Sequence, residues 1–223
     1  MSGSVEQNPG PPGISFGFVN AQSIVQKGSL MIDLISTHQI DVLAVCETFI
    51  ANNDPPAIKL DCLPPGYRVV HLPRPTATRY ARGGGLCVIH RDTLSVKNHP
   101  LQRAGQYESF ESLLVNVDIG RNGRSSDVAT IAVIYRPPSR STSDLDKFYD
   151  DLSDLSVRLG DVVDADRLVM CGDLNCGSTD PVTIRSELTA LLDAHGLQQH
   201  VSAATRTTAT SSSVVPIQPS CRG

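Results

Sequence analysis

The chain has 223 residues, 40% of them hydrophobic, and such a chain can bury the core of one full domain. Its formal net charge of −4 excludes a broadly basic surface, so contact with nucleic acid must be local or helped by a metal ion. No segment approaches the ~20 consecutive apolar residues of a membrane span, and the start lacks the apolar core of a secretion signal. We therefore predict an intracellular protein, nuclear or cytoplasmic, that is not secreted and contacts no membrane.

The amino-terminal part predicts a β-α-β beginning. Residues 1–13 are polar and rich in Pro and Gly, which predicts a disordered tail. Residues 14–20 show the alternation of a strand, residues 24–38 the spacing of an amphipathic helix, and residues 41–48 a nearly continuous apolar strand.

The middle of the chain predicts sheet strands joined by hairpins. A loop rich in Pro and Asp, residues 51–66, comes first. The predicted strands are residues 67–72, 86–90, 110–119 and 127–135.

Two helices and one more strand complete the predicted domain. Residues 143–159 and 183–195 have helical spacing, with Gly196 as the carboxyl-terminal cap of the second helix, and residues 167–170 form a buried strand. Residues 205–223 lack any period and predict a disordered tail, so the domain is expected to span residues 14–204.

Polar side chains stand at the ends of the predicted strands: Asn20, Glu47, Tyr135, Asp173 and Asn175. For each one alone, a strand-end cap or a turn former is the better explanation, since Asn and Asp favour turns. Together they would form an oxygen-rich rim suited to Mg²⁺ or Mn²⁺, because ligands of α/β sheets gather at the carboxyl ends of strands. Carboxylates and amides of this kind suit phosphodiester hydrolysis, which needs a cation, an oriented water and neutral donors to the phosphate.

Five motifs carry a family resemblance. They are NAQS from Asn20, CET around Glu47, RGGGLCVI from Arg82, VIYRPPS around Tyr135 and CGDLN around Asp173. In this order the chain resembles the endonuclease/exonuclease/phosphatase superfamily, and within it most closely the endonuclease domains of non-LTR retrotransposons. The resemblance implies an α/β fold, a four-layer α/β sandwich of two packed mixed sheets flanked by helices.

The resemblance also implies roles for the rim residues. Glu47 is expected to be a metal ligand, with Asn20 beside it. Asp173 would orient or deprotonate the attacking water, Asn175 would hold the phosphate, and Tyr135 would support the phosphate or the metal site. For Tyr135, a packed aromatic ring with a satisfied hydroxyl remains the alternative.

Other polar residues are expected to lie outside the chemistry. Arg82 and the glycines after it are assigned to the sheet, and Glu108 and Glu111 to a solvated face. The cysteines are interpreted as reduced core residues, since no ligand pair accompanies Cys171 and Cys176 at the spacing of a zinc site.

Family members continue with a strand that carries an Asp and with a Ser-Asp-His motif, and neither is present in this sequence. His195 and His200 do not follow Ser-Asp and are not assigned to that role. The sequence therefore predicts a carboxyl-terminally truncated, Mg²⁺-dependent endonuclease of impaired activity that nicks target DNA, with a reverse transcriptase domain in the full-length element but not in this chain. The alternatives are a phosphoesterase acting on another phosphate compound, which the NAQS and YRPPS motifs disfavour, and a noncatalytic remnant.

Overall fold

The computed structural model describes residues 13–74, 83–103, 106–120, 127–139, 141–176 and 181–199. The tails predicted for residues 1–13 and 205–223 lie outside the described residues except for Gly13, and Arg82 and His200 lie outside them as well. Within these ranges the chain forms two sheets of four strands each.

The first sheet contains β1 (Phe16–Asn20), β2 (Val42–Cys46), β3 (Tyr67–Leu72) and β4 (Leu86–Arg91). Its spatial order is β1-β2-β4-β3, with β1 and β2 parallel and the other pairs antiparallel. The parallel pair follows from the helix α1 (Gly28–His38) that connects the two strands, since a parallel neighbour requires a crossover.

The second sheet contains β5 (Val96–Asn98), β6 (Glu111–Asp118), β7 (Val128–Tyr135) and β8 (Leu168–Asp173), in that order. β7 and β8 are parallel and are connected through the helix α3 (Thr142–Gly160) and a short 3₁₀ turn. A short helix α2 (Pro56–Leu60) precedes β3, and α4 (Pro181–Ala194) follows β8.

Three apolar clusters divide the molecule into layers. The central cluster lies between the two sheets and combines Val42 and Val88 of the first sheet with Val115 and Val133 of the second. A second cluster packs the first sheet against α1, and a third packs the second sheet against α3 and α4. The predicted four-layer α/β sandwich is therefore confirmed.

The predicted helix at residues 24–38 begins four residues late, at Gly28. The backbone N–H groups of Ser23 and Ile24 donate to the carbonyls of Glu47 and Thr48 at 2.7 and 3.1 Å, which holds this segment against the end of β2. The positive φ angle at Gln26 (63°) is incompatible with a helix at that residue. The start of α1 was therefore displaced by tertiary contacts with the site.

The carboxyl-terminal cap of α4 is confirmed. Gly196 has φ +66°, its N–H donates to the carbonyl of Asp193 at 3.1 Å, and the N–H of Leu197 donates to that of Leu192 at 2.9 Å. These two bonds form a Schellman motif, which favours glycine at the left-handed position.

Two short elements were not predicted, and one burial prediction was wrong. α2 lies in the predicted loop at residues 51–66, and β5 is only three residues long. The strand predicted as buried at residues 167–170 is the half-buried edge strand β8, which pairs with β7 alone among the described strands. None of the helices in the described ranges combines the length and apolar character needed to cross a membrane.

Candidate active site

The carboxyl ends of four strands meet at one rim of the sandwich. β1 packs against β8, and β2 packs against β7 and β8, so the parallel pairs of the two sheets face each other. Asn20 closes β1, Tyr135 closes β7, Asp173 closes β8, and Glu47 directly follows β2. The fold thus joins side chains that lie up to 153 positions apart in the chain.

Asn20 links two carboxylates that come from different sheets. Its amide Nδ2 donates to Oε1 of Glu47 at 2.7 Å and to Oδ2 of Asp173 at 2.7 Å. The amide carbonyl Oδ1 accepts the backbone N–H of Gln22 at 3.0 Å, which fixes the orientation of the side chain. Two like charges are therefore held side by side by one neutral donor, an arrangement that a cation would stabilise.

The turn after β8 places Asn175 at the same rim. Asn175 has φ 44°, in the left-handed region that Asn tolerates better than most residues, and its N–H donates to Oδ1 of Asp173 at 3.3 Å. Its side-chain Nδ2 donates to the backbone carbonyl of Arg136 at 2.7 Å. All five residues named from the strand ends are thus brought together.

The glycine run, residues 83–85, lies beside Glu47 and Tyr135. A Cβ added at Gly83 would lie 3.0 Å from the Tyr135 hydroxyl and 3.7 Å from Oε2 of Glu47. The carbonyls of Gly84 and Gly85 accept the N–H groups of Phe49 and Thr48 at 3.0 Å each. The run therefore lets the backbone approach Tyr135 and Glu47 closely and also holds the backbone that follows Glu47.

Tyr135 has a buried ring in the central cluster and a hydroxyl at the rim. Its pKa is raised, first by burial and then by the negative charges of Glu47, Asp173 and Glu111. The phenol therefore stays protonated at neutral pH and can donate a hydrogen bond. The ring of Tyr135 is packed, as the alternative from the sequence predicted, but its hydroxyl faces the acidic side chains.

Glu111 was wrongly predicted to lie on a solvated face. It stands opposite Tyr135 in the β6–β7 pair, and its Oε2 accepts the N–H of Gly85 at 2.7 Å. Burial raises the pKa of Glu111, the hydrogen bond from Gly85 lowers it, and the charge of Glu47 raises it. Glu108, three residues earlier, is exposed as expected.

Arg136 is a second residue that the sequence did not single out for the site. It is 3% exposed, its Nη1 donates to the backbone carbonyl of Asn175 at 2.8 Å, and its guanidinium lies 5.3 Å from the ring centre of Phe148. The only sequence signal was its place in VIYRPPS next to Tyr135.

His195 lies away from this rim. It lines a cavity of about 210 Å³ together with Ala165 and Leu168, at the amino end of β8, whereas Asp173 lies at the carboxyl end. Five cysteines in the described ranges carry free thiols, and burial raises the pKa of Cys46 and Cys171. The described part of the chain contains no group of three or more His, Cys, Asp or Glu side chains arranged to hold a metal ion.

Comparison with known proteins bears on the family and the fold of this chain. A family model described as Endonuclease/Exonuclease/phosphatase family matches residues 18–222. No curated protein matches the sequence.

Three solved structures illustrate the likeness of the fold. The endonuclease domain of TRAS1, a telomere-specific non-LTR retrotransposon, is 16% identical with a TM-score of 0.53, and the match covers 83% of this chain and 73% of that one. The human nocturnin catalytic domain with bound sulfate is 18% identical with a TM-score of 0.51, over 81% and 70% of the two chains. The AP endonuclease LMAP from Leishmania major is 13% identical with a TM-score of 0.58, over 82% and 66%.

Proposed function

Because this chain belongs to the endonuclease/exonuclease/phosphatase family, we propose that it is built as a Mg²⁺-dependent phosphodiesterase that nicks DNA, of the kind carried by non-LTR retrotransposons. The observation that carries the proposal is the Asn20 amide, 2.7 Å from both the Glu47 and the Asp173 carboxylates. Two carboxylates held together at a part-buried rim repel each other, and a cation-assisted phosphoryl reaction gives this arrangement a use.

The donor set fits a hard divalent cation. Mg²⁺ is commonly held by one or two carboxylates with water filling the other positions, so a cluster of three acidic residues is not required. Glu47 supplies a carboxylate and Asn20 an amide beside it, and the backbone of Gly83 runs close to Oε2 of Glu47. When bound, Mg²⁺ or Mn²⁺ would offset negative charge on the phosphoryl group.

The protein side chains divide the remaining work. Asp173, oriented by Asn20 and by the N–H of Asn175, is suited to orient or deprotonate the attacking water. The side-chain amide of Asn175 donates one N–H to the carbonyl of Arg136, and its other N–H can donate to a phosphate oxygen. Tyr135, whose pKa is raised by burial and then by its acidic neighbours, stays protonated and can donate to the phosphate as a neutral group.

The choice of DNA as substrate rests on likeness. The TRAS1 domain is described as an endonuclease of a retrotransposon, and LMAP as an AP endonuclease. The NAQS and YRPPS motifs favour the first of these. We propose target DNA as the partner. We also propose that a reverse transcriptase is the protein that would use the nick.

Nicking of supercoiled plasmid by the purified chain tests the proposal. We expect nicking with Mg²⁺, none with EDTA, and loss on Asp173→Ala. Asp127→Ala is the matched control, because Asp127 pairs with Arg167 at 3.2 Å at the opposite end of β7 and β8. A version extended with a Ser-Asp-His segment tests the expectation that this segment is needed for full activity.

Nicking that persists in Asp173→Ala would contradict the assigned chemistry. Absence of nicking in every version, with all of them folded, would favour the noncatalytic alternative.

A phosphoesterase acting on a small phosphate compound is the second candidate. The formal net charge of −4 favours it, since a small substrate needs no extended basic surface. Hydrolysis of p-nitrophenyl phosphate without nicking of plasmid would select this candidate, and hydrolysis of bis(p-nitrophenyl) phosphate would support the phosphodiesterase.

A further inference from the structure

Arg136 is a buried cation next to the proposed site that cannot itself reach a substrate. Only 3% of the residue is exposed, and its guanidinium faces the Asn175 carbonyl and the Phe148 ring. A buried guanidinium is expected only where specific partners offset its loss of water. Direct binding of phosphate is therefore not its role.

Four contacts hold Arg136, three of them to the turn that carries the catalytic side chains. Its Nη1 donates to the Asn175 carbonyl at 2.8 Å, and its own carbonyl accepts Nδ2 of Asn175 at 2.7 Å. Its backbone N–H donates to the Asp173 carbonyl at 3.0 Å. The fourth contact is the guanidinium face, 5.3 Å from the ring centre of Phe148, which is itself fully buried against the second sheet.

Of these hydrogen bonds, only the first, from Nη1 to the Asn175 carbonyl, depends on the side chain of Arg136. It holds the carbonyl of Asn175, a residue with φ 44° whose backbone conformation is unfavourable without support. Because the same turn fixes Asp173 through the N–H of Asn175 at 3.3 Å, a rotation at Asn175 would move both catalytic side chains.

We propose, on the basis of the proposed function, that Arg136 is a positioning residue that holds the Asp173–Asn175 turn in its reactive geometry through the Asn175 carbonyl, with Phe148 as its support. The planar guanidinium suits both partners at once, and a lysine would keep the charge and one hydrogen bond but not the stacked plane.

Arg136→Met tests the proposal, with Arg167→Met as the matched control. Arg167 precedes β8 at its other end and pairs with Asp127, so the same substitution there leaves the turn untouched. For Arg136→Met we expect kcat for nicking to fall on the order of 10- to 100-fold, the range found when groups that support active-site ligands are removed. Arg136→Lys should recover part of the loss, and Arg167→Met should match the wild type.

Hydrogen exchange followed by NMR separates positioning from a general loss of stability. In Arg136→Met, the backbone N–H and the side-chain NH₂ of Asn175 should exchange faster, while the amides of Val115 and Val133 in the central cluster keep their rates. Equal acceleration of all these amides would overturn the proposal, because it would show a structural role only. Unchanged exchange at Asn175, with nicking at the wild-type rate, would overturn it as well.

The exchange measurement does not depend on activity. If no version nicks DNA, the wild type included, the proposed function fails, and selective loosening of Asn175 would still support the positioning contact.

Discussion

Asn20 joins two carboxylates at the rim, because its one amide donates to both of them. Asn20→Asp keeps the shape of the side chain, removes both donors and adds a third negative charge. We expect the free energy of unfolding without metal to fall by about 3–6 kcal/mol at neutral pH, since each of the two lost hydrogen bonds to a charged group contributes roughly 1.5–3 kcal/mol. Urea denaturation in EDTA measures the change.

Asn98→Asp is the control for this prediction. Asn98 is exposed at the end of β5, so the same change of charge there should alter the free energy of unfolding by no more than about 0.5 kcal/mol. Equal effects of the two substitutions would show that the Asn20 bridge contributes nothing specific.

The rim residues could be named from the sequence because each stands directly at the end of an apolar strand. Glu111 could not, because its place depends on the pairing of β6 with β7, which puts it opposite Tyr135, and long-range register is not visible in one sequence. Arg136 was hidden for a related reason: its partners Phe148 and Asn175 come from α3 and the turn after β8.

His71 makes stability depend on pH. Its Nε2 lies 3.0 Å from the Lys59 carbonyl, and its Nδ1 is buried with no hydrogen-bond partner among the described residues. Burial lowers the pKa of His71 from 6.5, the hydrogen bond to the Lys59 carbonyl raises it, and the charge of Lys59 lowers it. Below pH 6.5 the unfolded chain therefore takes up the proton first, and stability falls as pH decreases towards the folded-state pKa.

His71→Gln retains a donor for the Lys59 carbonyl and removes the titration. We expect a smaller loss of stability than in the wild type between about pH 7.5 and about pH 5.5, measured by urea unfolding with an unchanged m-value. The pH dependence of stability that remains in the variant would include the titration of His99, whose pKa is also lowered by burial. Parallel curves for the wild type and the variant would refute the assignment to His71.

At the scale of elements, long periodic segments were predicted well and short ones were not. α3 and β7 lie within a residue or so of their predicted bounds, because each has a full apolar face. α2 and β5 have five and three residues and no burial pattern of their own, so only their neighbours determine them. The late start of α1 has the same origin, since backbone bonds to the end of β2 outweigh helical spacing.

Two glycines in different elements provide a matched pair of substitutions. A Cβ at Gly160, exposed in the last turn of α3, would meet nothing within 4 Å, whereas one at Gly172 in β8 would overlap the carbonyl of Ile134 in β7. Gly160→Ala should raise the free energy of unfolding by about 0.5–1 kcal/mol through the unfolded state. Gly172→Ala should lower it by about 1–3 kcal/mol or more, as overpacking does.

Thermal unfolding of the two variants beside the wild type measures both effects. If Gly172→Ala proved as stable as the wild type, the close approach of β7 and β8 at this position would be wrong.

At the scale of the whole molecule, the site exists only because the two sheets pack face to face. Asn20 and Glu47 come from the first sheet, and Tyr135 and Asp173 from the second, with the central apolar cluster between them. Bringing the carboxylates together opposes this packing, and the burial of valine and leucine side chains below the rim offsets it. The fold therefore stores at the rim a repulsion that a bound cation would relieve.

That repulsion predicts that Mg²⁺ stabilises the fold as a whole. A ligand that binds only the folded state adds RT ln(1 + [L]/Kd) to the free energy of unfolding, about 2.7 kcal/mol at 100 times Kd. We expect the midpoint of urea unfolding to rise with Mg²⁺ and not with NaCl at equal ionic strength. Glu47→Gln, which retains an acceptor for Asn20 but lacks the charge, should abolish most of the rise. The same rise in Glu47→Gln, or none in the wild type, would mean that the cation does not bind between the sheets, whatever the outcome of the nicking assay.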